Sequence, residues 1–200
     1  MFKKILFSIT IAFISFSAIA QLKDIKIEEE RKANRIFLYA LNENLVDLDV
    51  SIEVEGTGIR TRAGKPRLTR VPATSKVNIT SIIVERDKTP VYTYKLTVNE
   101  ELSKRVIKAE ATPIKIDFEK PVTIYTTKAC TSCDSLVAQL DASPYRYALH
   151  NLEEKPEMRA QIKAALPSLD AVTSAVVSIK GVLYTKIETL NQLLEKINAE

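Results

Sequence analysis

An all-β antiparallel sandwich followed by an α/β unit is the architecture expected of this 200-residue chain. From about residue 33 to 116 the apolar residues recur every second position, which suits half-buried strands. From about 120 to 199 short strand-like runs alternate with windows of helical period. The grammar changes between Pro113 and Pro121, which sets the expected boundary. Hydrophobic residues make up 46% and charged residues 27% of the chain, values that exclude a disordered or multi-span membrane protein. Only four Gly are present, too few for a collagen-like or Gly-rich phosphate-loop design.

The first twenty residues read as an export signal. Met1-Phe2-Lys3-Lys4 is a short basic start, residues 5–20 carry no charge, and Ala18-Ile19-Ala20 fits a small-x-small cleavage pattern. The apolar run is shorter than the roughly 20 residues a bilayer span needs. Cleavage after Ala20 would deliver the chain to an oxidising space, the periplasm of a Gram-negative cell, with no stable membrane span. No Cys follows the cut, which counts against a lipoprotein. An uncleaved anchor is the alternative. The formal charge of +4 falls to about +2 without Lys3 and Lys4, too weak for a nucleic-acid binder.

Residues 21–32 are polar, with the charge run Glu28-Glu29-Glu30-Arg31-Lys32, and suggest a linker or short helix. Strands follow. Val46, Leu48, Val50, Ile52 and Val54 alternate with Asp47, Asp49, Ser51 and Glu53, and Tyr92, Tyr94, Leu96 and Val98 repeat the pattern. Residues 35–41, 76–84 and 105–109 are further candidates, separated by turn signals at 55–58, 64–66 and 87–90. Short strands at this spacing predict a sandwich of immunoglobulin-like kind over residues 33–116. Within it, Arg60, Arg62, Lys65, Arg67 and Arg70 have no acidic residue among them. A solvated loop is the favoured reading, and a docking patch for an anionic surface the alternative.

In the second half, residues 122–125 form a strand and Cys130-Thr131-Ser132-Cys133 follows. Leu136, Val137 and Leu140 then share a helix face. Residues 145–152 suggest a strand. Pro156 opens a helix whose stripe is Met158, Ile162, Ala165 and Leu166, with Pro167 as its stop. Residues 172–179 and 182–184 form a hairpin about Lys180-Gly181, and Ile187, Leu190, Leu194 and Ile197 line a last helix.

A β-α-β-α-β-β-α order with CxxC after the first strand resembles the thioredoxin fold. The local sequence, Val122-Thr123-Ile124-Tyr125-Thr126-Thr127-Lys128-Ala129-Cys130-Thr131-Ser132-Cys133, is similar to the opening of glutaredoxins. The resemblance spans residues 120–199 and implies an α/β thioredoxin-like fold with thiol–disulfide chemistry. Three departures count against glutathione as a partner. Ala175 stands where that family has a cis-proline, Tyr184-Thr185-Lys186 where it has Gly-Gly, and Thr127 where it has a glutathione-binding Lys.

The chemistry follows from the residues themselves. A thiolate is the attacking species, and an ordinary thiol with a pKa near 8.5 is mostly protonated at neutral pH. A helix N-terminus favours the anion, which makes Cys130 the expected nucleophile and Cys133 the resolving thiol. Lys128 is an expected supporting cation and Thr131 a supporting residue; Asp134 disfavours a thiolate on Cys133. A structural staple is disfavoured, because closing so short a loop removes only roughly 2 kcal/mol of unfolded-state entropy, against about 4.7 for a 100-residue loop. Cu(I) held by the two thiols is a further alternative; the sole His150 reads as a surface histidine. The expectation is an exported oxidoreductase acting on envelope protein thiols or disulfides, without cofactor or metal. Its rivals are a binding or assembly module with a vestigial redox domain, and a Cu(I)-handling protein.

Overall fold

The computed structural model describes residues 22–61 and 66–199, so the expected leader, and Arg62 and Lys65 of the basic stretch, lie outside the described residues. Two sheets make up the first half. One runs β1 (Lys26–Lys32), β2 (Arg35–Asn42), β6 (Ser75–Val84) and β4 (Ile59–Arg60), with β9 (Ala111–Pro113) also paired to β6. The other runs β7 (Val91–Asn99), β3 (Leu48–Thr57), β5 (Thr69–Val71) and β8 (Ile107–Lys108). The alternation that predicted β2, β3 and β6 has its expected consequence. Leu38 and Ala40 of the first sheet and Leu48 and Val50 of the second are buried, and two apolar clusters draw residues from both sheets.

The first half is therefore sheet-rich, but not wholly antiparallel: β5 and β8 pair in parallel. The expected linker at 21–32 instead carries β1, which pairs with β2 along its whole length. Its charges are compatible with a strand because it is an edge. Only Ile27 and Glu30 are half-buried, and Lys76 and Tyr92 reach across to Glu28 and Glu29 at 2.5 and 2.6 Å. Gly56 is required where β3 meets β7, since a Cβ there would lie 2.2 Å from the Val91 carbonyl oxygen. The expected strand at 105–109 shrinks to the two residues of β8.

On the outer side of β3, Asp49 is fully buried and accepts from Arg70 at 2.9 and 3.2 Å and from the Ser103 N–H at 2.6 Å. It ties β3, β5 and the 100–106 loop together. The Arg70 guanidinium, with the Ser103 N–H, holds its carboxyl below the usual range against the opposing effect of burial.

β10 (Ile116–Asp117) leads into the second half and pairs in parallel with β12 (Tyr145–Arg146). A four-stranded sheet follows in the order β13 (Ala148–Asn151), β11 (Val122–Thr126), β14 (Val176–Ile179), β15 (Val182–Tyr184). The helices are α1 (Cys133–Ala142), α2 (Pro156–Ala165) and α3 (Leu190–Asn198). α1 and α3 pack against the sheet through Leu136, Leu140, Leu193 and Ile197. Met158 and Ile162 of α2 pack in a separate cluster with Leu152, Leu169 and Val176. The expected strand at 145–152 divides into β12 and β13, in two different sheets. The β14–β15 turn has positive φ at both Lys180 and Gly181, as a two-residue hairpin of this twist requires. No described helix is long and apolar enough to cross a membrane.

The Asp49 contacts give a first prediction. Asp49→Asn should destabilise the protein by about 1–3 kcal/mol at neutral pH. A carboxyl whose folded pKa is depressed contributes stability above its unfolded pKa of about 3.9 and loses it as pH falls through the folded value. The gap between wild type and variant in denaturant midpoints should therefore close below about pH 4; a gap independent of pH would contradict this role.

Candidate functional site

The CxxC segment sits between β11 and α1, next to the chain entering β14. Cys130 and Cys133 are joined by a disulfide, with their Cα atoms 5.7 Å apart. Cys133 is 5% exposed and packs in the core with Leu136 and Ala175, whereas Cys130 is half-buried at its edge. The more accessible sulfur is thus the expected nucleophile, and the enclosed one the expected resolving thiol.

The helix begins later than the sequence reading requires. α1 starts at Cys133 with Ser132 as its N-cap, and its first backbone bond runs from Leu136 N–H to the Ser132 carbonyl at 3.1 Å. Cys130 and Thr131 precede the helix, and their backbone N–H groups bond outside it. The Cys130 N–H closes a turn onto the Thr127 carbonyl at 3.1 Å, and the Thr131 N–H donates to the Thr173 carbonyl at 2.8 Å. The disulfide ties the Cys130 sulfur to the first residue of α1. Ser132 makes no side-chain capping bond, so the first-turn N–H groups lack a side-chain acceptor from their N-cap.

The two supporting residues differ in their contacts. Thr131 is exposed, and its hydroxyl donates at 3.3 Å to the same Thr173 carbonyl that its backbone engages. It fixes the CxxC segment to the strand that follows. Lys128 is exposed; its backbone N–H donates to Glu153 at 3.3 Å, and its ammonium has no ion pair among the described residues. The structure brings Thr127, Cys130, Thr131 and Thr173 into one hydrogen-bonded unit, in which Thr173 had no predicted role. The alternating run 172–179 hid it, because residues 172–175 precede the strand rather than belong to it.

Ala175 is fully buried, and no cis peptide occurs among the described residues, so the bond before it is trans. Ser174, beside it, donates to the Thr185 carbonyl and holds the hairpin's far strand end against this segment. His150 lies across from Tyr125 on β13, with its Nδ1 3.0 Å from the Lys155 ammonium. No group of three His, Cys, Asp or Glu side chains converges among the described residues.

Residues 122–183 match the family model described as Glutaredoxin. The C-terminal part of the chain is a glutaredoxin-like domain. The match opens at the first residue of β11 and ends within β15, so it takes in the disulfide, α1, α2 and the β14 entry. No curated protein and no solved structure gives a significant match to the chain.

Burial makes the two thiols of the glutaredoxin-like domain unequal, and alkylation should reveal it. After reduction, iodoacetamide should modify Cys130 well before Cys133, read by peptide mass mapping. Equal labelling in the folded protein would contradict the assignment.

Proposed function

We propose that the chain is an exported thiol–disulfide oxidoreductase that exchanges disulfides with envelope protein partners in the periplasm. The observation that carries this reading is the arrangement of the pair, with a half-buried Cys130 bonded to a buried Cys133 at the start of α1 in a glutaredoxin-like domain. The leader of residues 1–20 supports export, and the immunoglobulin-like sandwich proposed for the strand-rich half would serve in partner docking.

In the reductive direction, the Cys130 thiolate attacks a partner disulfide and forms a mixed disulfide, and one partner sulfur leaves and takes a proton. Cys133 then gives up its proton and attacks Cys130 Sγ, releasing the second partner sulfur. Two electrons pass to the partner, and the Cys130–Cys133 bond forms. With a partner dithiol the same steps run backwards. The three departures from the glutaredoxin pattern, at Thr127, Ala175 and residues 184–186, favour a protein dithiol over glutathione.

A second reading is a binding module with a vestigial redox domain. The trans bond at Ala175 and the engaged Thr173 carbonyl favour it, because both alter the backbone edge next to the cysteines. Cysteine variants separate the two. Cys130→Ser should reduce insulin-disulfide reduction to background, while Cys133→Ser should accumulate mixed disulfides. Equal or greater trapping by Cys130→Ser would reverse the assigned order. An inactive wild type, with neither variant trapping partners, would favour the binding module.

A further inference from the structure

Two side-chain hydroxyls close in sequence to the disulfide lack partners. Among the described residues, only Thr127 Oγ1 and Ser132 Oγ are side-chain oxygen or nitrogen atoms sealed from solvent without a hydrogen bond. Elsewhere buried polar groups are satisfied: Asn42 alone donates to three carbonyls and accepts from Asn44. A buried hydroxyl without a partner is costly, and two at one place call for an acceptor absent from the oxidised form.

Their places in the chain, on either side of Cys130, suggest what that acceptor is. The Cys130 N–H bond to the Thr127 carbonyl folds a turn that places Thr127 at one end and Cys130 at the other. Ser132 adjoins Cys133 and occupies the N-cap of α1, yet its hydroxyl makes no capping bond and so is not committed to the helix. Thr131, between the cysteines, is already spent on the Thr173 carbonyl. A disulfide sulfur is a weak acceptor, whereas a thiolate is a full anion that draws O–H donors strongly.

We propose that Thr127 and Ser132 are hydrogen-bond donors to the reacting sulfur: their hydroxyls rotate onto the Cys130 thiolate of the reduced pair, and so stabilise that pair. This rests on the thiol–disulfide exchange reading above. The step begins when a partner dithiol loses one proton to solvent and its thiolate bonds to Cys130 Sγ. The S–S bond breaks, and its electron pair leaves on Cys133 Sγ, which takes the second partner proton. The second partner sulfur then attacks the mixed disulfide, and the electron pair leaves on Cys130 Sγ. Cys133 ends as a thiol, Cys130 as a thiolate facing the two hydroxyls, and the partner as a disulfide.

The test uses the purified, reduced protein and follows thiolate absorbance at 240 nm against pH. Thr127→Val with Ser132→Ala should raise the midpoint by about one unit, a tenfold loss of thiolate at a given pH. Each single variant should give part of the shift, and Thr127→Ser should restore the wild-type midpoint. In a fixed glutathione redox buffer the double variant should be the more oxidised. Unchanged midpoints in variants that keep wild-type circular dichroism would overturn the proposal, even if the oxidised form became more heat-stable, as relief of a packing defect alone would make it. Absence of insulin reduction by the wild type would refute the function reading and leave this midpoint comparison standing.

Discussion

The Thr131 N–H to Thr173 carbonyl bond is the constraint on which the site depends. It crosses from the CxxC segment to the chain entering β14 and fixes Thr131 against that chain. α1 opens two residues later, at Cys133. One cysteine is built into the helix and the core, and the other is half-buried at the core's edge on a short turn. The two cysteines differ in burial because they lie on either side of the helix start.

The two halves are joined through the same helix. Lys115, just before β10, donates to the Asp141 carbonyl at 2.8 Å and to the Ser143 carbonyl, covering orphan acceptors at the C-terminus of α1. The Ile116 N–H donates to the Pro144 carbonyl at 2.8 Å, and the Ile114 N–H to the Thr74 carbonyl at 2.9 Å. The connecting segment thus bonds to the strand-rich half on one side and to the glutaredoxin-like domain on the other. A helix carrying a cysteine at its first turn has its last turn closed by a residue of this connection.

What was legible in the sequence follows from what each signal measures. β2, β3 and β6 could be read because one face of each is turned to a partner sheet, which imposes period two; on β7 only Tyr92 and Leu96 of the alternating set pack, and Tyr94 and Val98 are exposed. β1 could not, because an edge strand with solvent on most sides tolerates Glu28, Glu29, Arg31 and Lys32. β4, β5, β9 and β10 span two or three residues, too few for any period to show. The division of 145–152 into β12 and β13 depends on two distant partners, Ile116 and Thr123. The cysteine pair and the glutaredoxin resemblance were fully readable, since both lie in contiguous sequence. The helix start, Thr173 and the unpartnered hydroxyls were not, because each arises from tertiary hydrogen bonding.

The central claim is that Cys130 and Cys133 exchange electrons reversibly with partner thiols. Equilibrating the protein across a series of thiol redox buffers, and counting free thiols by mass after acid quenching, tests it most directly. The account predicts a two-electron transition within the range spanned by thiol–disulfide catalysts, roughly −120 to −270 mV. A pair that stays oxidised until below about −300 mV, as resistant structural disulfides do, would contradict it.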